Sequence, residues 1–214
     1  MKKQVLFIIL LCYIIGFYSC NLLNSTYKHA NKEEQTRLKP LDIDFKNVDS
    51  SFLNKQDSNI LFYSINADGL KEIISKNNDK YVLCCSFYYW CEGSRNAFDS
   101  IEMFANQNNL KLIVIETTDW LYQNNSRAFF KSKQFYNPIL SLDIMKYGYN
   151  FNNRKRWRNF IQDVCGDNSK KLYGISDVIL FDSKGNVLLY GDFYDEIDKI
   201  RVFIKAYKWF NKLI

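Results

Sequence analysis

The chain has 214 residues, 47% hydrophobic and 17% aromatic, which suits one compact domain with extensions and excludes a wholly disordered chain. Lysine and arginine outnumber aspartate and glutamate by 29 to 23, and by 27 to 23 without Lys2 and Lys3, an excess too mild to require a nucleic-acid partner. The single histidine, His29, lies in a polar stretch, so Cys-His nucleophile activation and other chemistry needing a folded-site imidazole find no support.

In chain order, Met1-Lys2-Lys3 opens onto QVLFIILLCYIIGFYS, an apolar run of signal-peptide length that is too short for a membrane span. It stops at Ser19-Cys20, before the polar NLLNSTYKHANKEEQTR. The pattern resembles a bacterial lipoprotein signal. That resemblance implies removal of residues 1–19, acylation of Cys20, and a protein lipid-anchored to a bacterial membrane, with its domain in the periplasm or extracytoplasmic space. Several acyl chains anchor stably where one is marginal. The alternatives are an uncleaved amphipathic anchor, or secretion with Cys20 unmodified. Residues 20–56 are rich in Asn, Lys, Glu, Gln, Asp and Ser without apolar periodicity, and read as a polar tether.

Residues 57–214 carry the domain. NILFYSI predicts a strand, and NADGLKEIISKNN a helix capped by Asn66 with Leu70, Ile73 and Ile74 inward. KYVLCCSFYY predicts a buried strand, EGSRNAFDSIEMFANQNN a helix with Ala97, Ile101, Phe104 and Ala105 on one face, and LKLIVIE another strand. A helix is expected over 121–136. NPILSL reads as a short extended piece that Pro138 keeps from being a central strand. In FNNRKRWRNFIQDVCG, Trp157, Phe160, Ile161 and Val164 form a helical stripe ending at Gly166, with the basic RKRWR run as its solvated side. In TTDW, Asp119 reads as a structural loop residue. DVILFDSKGNVLLYGDF predicts two strands about an Asp182–Gly185 turn, and residues 195–213 a closing helix burying Ile197, Ile200, Ile204 and Tyr207. Strand, helix, strand, then hairpin and helix, defines an α/β class with a mixed central sheet and helices on both faces.

Cys84, Cys85, Cys91 and Cys165 are left for a compartment where disulfides persist, and their pairing is open from the sequence. Cys84-Cys85-x5-Cys91 does not match zinc-ligand spacing, so no metal and no cofactor is expected. In FYYWCEGSRNAF, Cys91 falls at the first turn of a helix, where unsatisfied backbone N–H groups and the positive dipole end favour a reactive thiolate. Arg95 adds to that effect and Glu92 opposes it.

These residues carry a second resemblance. KYVLCCSFYYWCEGSRNAFDSIEMFANQNNLKLIVIETTDW resembles the first half of a thioredoxin-like domain, in which a strand runs into an aromatic-Trp-Cys-x-x-Cys turn opening a helix. LYGISDVILFDSKGNVLLYG resembles that family's closing hairpin. The likeness covers roughly residues 57–214 and extends to the membrane-anchored thiol-disulfide oxidoreductases of bacterial envelopes. It implies a three-layer sandwich and a nucleophilic Cys91 acting on exported protein thiols or an envelope redox partner. Trp90, Glu92, Gly93, Arg95, Ser176 and Asp177 would flank the bound partner.

Two departures follow from the same comparison. Ser94 stands where the resolving cysteine belongs, and a hydroxyl cannot close a second sulfur–sulfur bond. Ser176 stands where the family has a cis-proline, so a trans loop and an altered substrate shelf are expected. Cys85, six residues before Cys91, holds the place of a buried polar residue in many members. It reads either as a displaced resolving thiol or, with Cys84 and Cys165, as a small core residue. Two functions remain open: a monothiol oxidoreductase, or a redox-inactive binding or adaptor module on the same fold.

Overall fold

The computed structural model describes residues 37–77, 79, 81–148, 153–166 and 176–210. Among them are six strands, β1 (Phe62–Ile65), β2 (Tyr81–Phe87), β3 (Lys111–Glu116), β4 (Ile139–Leu142), β5 (Asp177–Asp182) and β6 (Val187–Asp192). The helices are α1 (Ala67–Lys76), α2 (Glu92–Asn108), α3 (Gln123–Ser132), α4 (Ile144–Tyr147), α5 (Asn153–Cys165) and α6 (Phe193–Phe210). One sheet runs β1-β4-β3-β2-β5-β6; its first four strands are parallel and the last two form an antiparallel hairpin.

Alternation along β2 sorts the two cores. Leu83, Cys85 and Phe87 face Ala97, Phe98 and Ile101 of α2, Phe130 of α3, and Ile200 and Ile204 of α6. Val82 and Cys84 face Ile73 and Ile74 of α1 and Trp157, Phe160 and Ile161 of α5. Every residue of β2 is buried, which is why this central strand reads as a continuous apolar run. The mixed sheet between two helical layers is the three-layer thioredoxin-like arrangement, with one additional parallel strand, β4, lying between β1 and β3.

Local chemistry accounts for the boundaries. The Asn66 side chain accepts from the Gly69 amide at 2.8 Å and caps α1 as expected. α2 closes with Asn109 in the left-handed region at φ 55°. α3 is shorter than the expected 121–136, because a 3-10 turn, Trp120–Tyr122, precedes it and Gln134 at φ 57° follows it. α6 starts at Phe193, two residues before the expected position, where the Phe193 amide donates to the Ser176 carbonyl at 2.9 Å.

Two expectations need correction. β4 lies inside the sheet although Pro138 precedes it. The proline stands one residue before the ladder, and the first N–H required, that of Ile139, donates to Leu61 O at 3.1 Å. The segment read as tether through residue 56 is packed on the domain from about Pro40 onward. Leu41 exchanges backbone bonds with Phe62 and Ser64, and Phe52 and Leu53 are buried beneath Tyr63. These apolar side chains are spaced too irregularly for a helix or strand pattern, so each inserts singly. Gly69 makes room for one of them, since a Cβ there would lie 2.5 Å from the Phe45 ring.

Candidate functional site

The chemistry-bearing residues gather where β2 and β3 end and β5 begins, the carboxyl edge of the parallel strands at which α/β sheets place their sites. Beyond β2 the chain turns sharply. The Cys91 amide donates to Tyr88 O at 3.0 Å, and the Cys91 carbonyl accepts from the Arg95 amide at 3.1 Å, opening α2. Cys91 is therefore the N-cap, with extended backbone (φ −91°, ψ 115°), and its side chain makes no capping bond. Cys91 is half-buried and forms no disulfide with another described cysteine.

Ser94 is buried, and its hydroxyl oxygen accepts from the Tyr88 amide at 3.0 Å. The hydroxyl thus fastens the first turn of α2 to the preceding loop. Arg95 donates to Tyr89 O and lies over the Tyr89 ring at 5.7 Å, so its guanidinium braces the same loop. Glu92 and Gly93 are exposed in the first turn. Trp90 is 47% exposed, with its ring edge-on to Tyr88 at 6.1 Å.

Across the turn, Asp177 opens β5 with 2% exposure. Its Oδ2 accepts from Trp157 Nε1 at 2.7 Å and from the Tyr190 hydroxyl at 3.3 Å. Burial pushes its carboxyl up to about 7 against those two bonds, with Asp192 adding to the rise. Tyr88 is buried, and burial followed by the nearby Asp177 charge pushes its hydroxyl upward. Ser176 is buried and engaged through its carbonyl with Phe193. Residues 171–175, and with them the peptide bond before Ser176, lie outside the described residues, as does Cys20.

Cys85 is buried in the core shared with α2, and burial pushes its thiol up to about 12. At neutral pH it holds almost no thiolate, the species that attacks a disulfide, so its environment opposes the resolving role. Cys84 points to the opposite core with its thiol raised well above its ordinary value by burial, and Cys165 is half-buried with its thiol raised to about 11. No group of His, Cys, Asp or Glu among the described residues is arranged to hold a metal ion.

Sequence reasoning missed two buried polar features at this edge. In the RKRWR run, Arg154, Lys155 and Arg158 are exposed as expected, but Arg156 is fully buried in an ion pair with Asp119, also fully buried. The spacing held the signal, since Arg156 directly precedes inward Trp157. The second feature is Glu116, 1% exposed at the end of β3. Its Oε1 accepts from Ser126 and, at 2.7 Å, from Thr118, while Oε2 has no hydrogen-bond partner. Burial pushes this carboxyl up to about 7, opposed by those two hydroxyls and the Arg127 charge.

A carboxyl whose folded-state pKa lies above its unfolded value binds its proton more tightly in the fold. Its contribution is complete below about pH 4.5 and is lost as pH rises through about 7. Urea unfolding at a series of pH values should show the Glu116→Gln variant losing less stability than the parent between pH 4.5 and 8, by on the order of 3 kcal/mol. Parallel curves would remove Glu116 as the titrating group.

No family model matches the chain, and no curated protein matches it. Among solved structures, it is similar to the thioredoxin domain of a thiol-disulfide oxidoreductase from Bacteroides vulgatus. The two share 18% identity over 56% of this chain and 79% of that one, with a TM-score of 0.37. Among the described residues no helix is long and apolar enough to cross a membrane.

Proposed function

We propose that the protein is a monothiol thiol-disulfide exchanger of the bacterial envelope, acting through Cys91 and held at the membrane by acyl chains on Cys20. The observation that carries the reading is the cysteine at the N-cap of α2, half-buried and in no disulfide among the described residues, in a Trp-Cys turn of a thioredoxin-like domain. The Cys91 thiolate attacks one sulfur of a disulfide on an exported protein or low-molecular-weight partner. The partner's S–S bond breaks, the departing sulfur takes a proton, and Cys91 is left in a mixed disulfide. With serine at 94 and Cys85 protonated in the core, a second, external thiol releases it: its thiolate attacks the partner's sulfur and returns Cys91 as thiolate.

Oxidised glutathione tests the step directly. Incubation of the folded protein followed by peptide mass spectrometry should find the glutathione adduct on Cys91, with Cys84, Cys85 and Cys165 unmodified. Cys91→Ala should abolish the adduct. No adduct on Cys91 until the chain is unfolded would overturn the exchange reading. It would favour the second one, a binding module whose contact surface is the exposed Trp90 and the turn around it, supported by the serine at the resolving position.

A further inference from the structure

The start of α5 sets a cation beside the Cys91 turn. Sheet order places β2 between β3 and β5, and α5 is fastened on either side of it: Arg156 pairs with Asp119 in the segment after β3, and Trp157 donates to Asp177 at the head of β5 at 2.7 Å. The first turn of α5 therefore spans the end of β2, where the chain leaves for Cys91. Asn153, Arg156 and Trp157 are buried there, so helical spacing turns Arg154, Lys155 and Arg158 outward, and no acidic residue stands in that turn. Arg154 is exposed and in no ion pair among the described residues. Burial and then the Asp177 charge raise the Tyr88 hydroxyl, and among the weaker influences the Arg154 charge lowers it and the Cys91 charge raises it, so both side chains stand close to this one group. The acids of this edge are placed differently. Asp192 ends β6, on the far side of β5 from β2, and Asp195 opens α6, in the layer on the other face of the sheet. Asp177 is buried with Trp157 and Tyr190 bonded to its carboxylate, and Glu92, next to Cys91, opposes Arg154.

We propose that Arg154 selects the partner of Cys91, favouring disulfides that carry a carboxylate close to the sulfur. The inference rests on the exchange reading and names its substrate class. The attacking thiolate is itself an anion, so an anionic disulfide approaches Cys91 against repulsion unless a cation stands nearby. Arg154 supplies that cation from outside the turn, whereas the Arg95 guanidinium is engaged with the carbonyl and ring of Tyr89. A guanidinium offers a planar fork of donors matched to a carboxylate, and at an exposed position its charge also draws an anion in before contact. The bonds made and broken remain those of the exchange reaction; Arg154 decides which disulfide reaches the sulfur.

Three symmetric disulfides of different charge test the proposal on the folded full chain: oxidised glutathione, which carries carboxylates, neutral hydroxyethyl disulfide and cationic cystamine. The rate of adduct formation on Cys91 is read by mass spectrometry for each and divided by the rate on a peptide of residues 87–98, which holds the same cysteine without the fold. The expected normalised rate is about tenfold higher for oxidised glutathione than for cystamine, with hydroxyethyl disulfide between them and the gap narrowing in high salt. Arg154→Glu should bring the glutathione-to-cystamine ratio to one or below, and Arg154→Lys, which keeps the charge, should retain most of it. The ratio is taken on one protein, so any change in the thiol itself cancels, and unfolding curves matching the parent confirm that each variant is folded. A ratio that Arg154→Glu leaves unchanged would overturn the proposal, as would one that salt does not alter, the mark of recognition by shape. Equal normalised rates for the three disulfides would also overturn it while leaving exchange at Cys91 standing. No adduct from any of them would overturn the exchange reading and this selection with it.

Discussion

Arg156→Met is expected to lower the unfolding free energy by about 3–5 kcal/mol, the cost of leaving a buried carboxylate without its counter-charge. Arg156 and Asp119 are both fully buried, joining α5 to the segment after β3, so water cannot replace the missing partner. Asp119→Leu alone should cost a similar amount. The double variant should recover much of the loss, because a pair of well-packed apolar side chains needs no desolvation of charge. Urea unfolding of the four proteins closes the cycle. A single-variant loss below about 1 kcal/mol would put the pair in the range of solvated surface ion pairs and contradict its burial.

Ser94→Cys is expected to change the reaction rather than the fold. The new sulfur would stand one turn from Cys91, where ring closure competes with any external thiol through its high effective concentration. The mixed disulfide that should accumulate on the parent protein would become transient. Turnover of a protein disulfide in the presence of a reductant should rise by at least tenfold. The variant loses a hydroxyl acceptor for the Tyr88 amide, a cost of about 1 kcal/mol that a thermal melt will register. Unchanged turnover, with the adduct persisting on Cys91, would show that the two sulfurs do not meet and that the turn is built for a single-thiol or binding role.

The architecture was legible where burial is two-sided or strictly periodic. YVLCCSF read as a buried strand and KLIVIE as another strand, and Asn66 and the Trp-Cys turn marked the starts of α1 and α2. Pro138 misled because a proline beside a strand and one within it read alike in the sequence, and the position of the first ladder bond decides between them. Phe45, Phe52 and Leu53 were hidden by their polar neighbours, since contacts made singly leave no period. At the site, the place of Cys91 could be read from the sequence, and the partners of Ser94 and Arg95 could not, because both bond backbone of the loop they follow. Glu116 and Arg156 were missed for a related reason. A charged residue signals burial only through a partner distant in sequence, Ser126 in one case and Asp119 in the other.

The pairing of β1 has a consequence for how the molecule assembles and opens. Its ladder partner in the sheet is β4, with Phe62 opposite Ile139, so the first strand of the domain waits for chain 77 residues away. β2 and β3, joined through α2, and the β5-β6 hairpin close much shorter loops and lose less chain entropy in doing so. β1 and the strap around Leu41 should therefore dock late and detach first. Native-state exchange should find the amides of residues 41 and 62–65 released together at a lower opening free energy than those of β2, as one cooperative unit that peels from the sheet edge while the Cys91 turn stays folded.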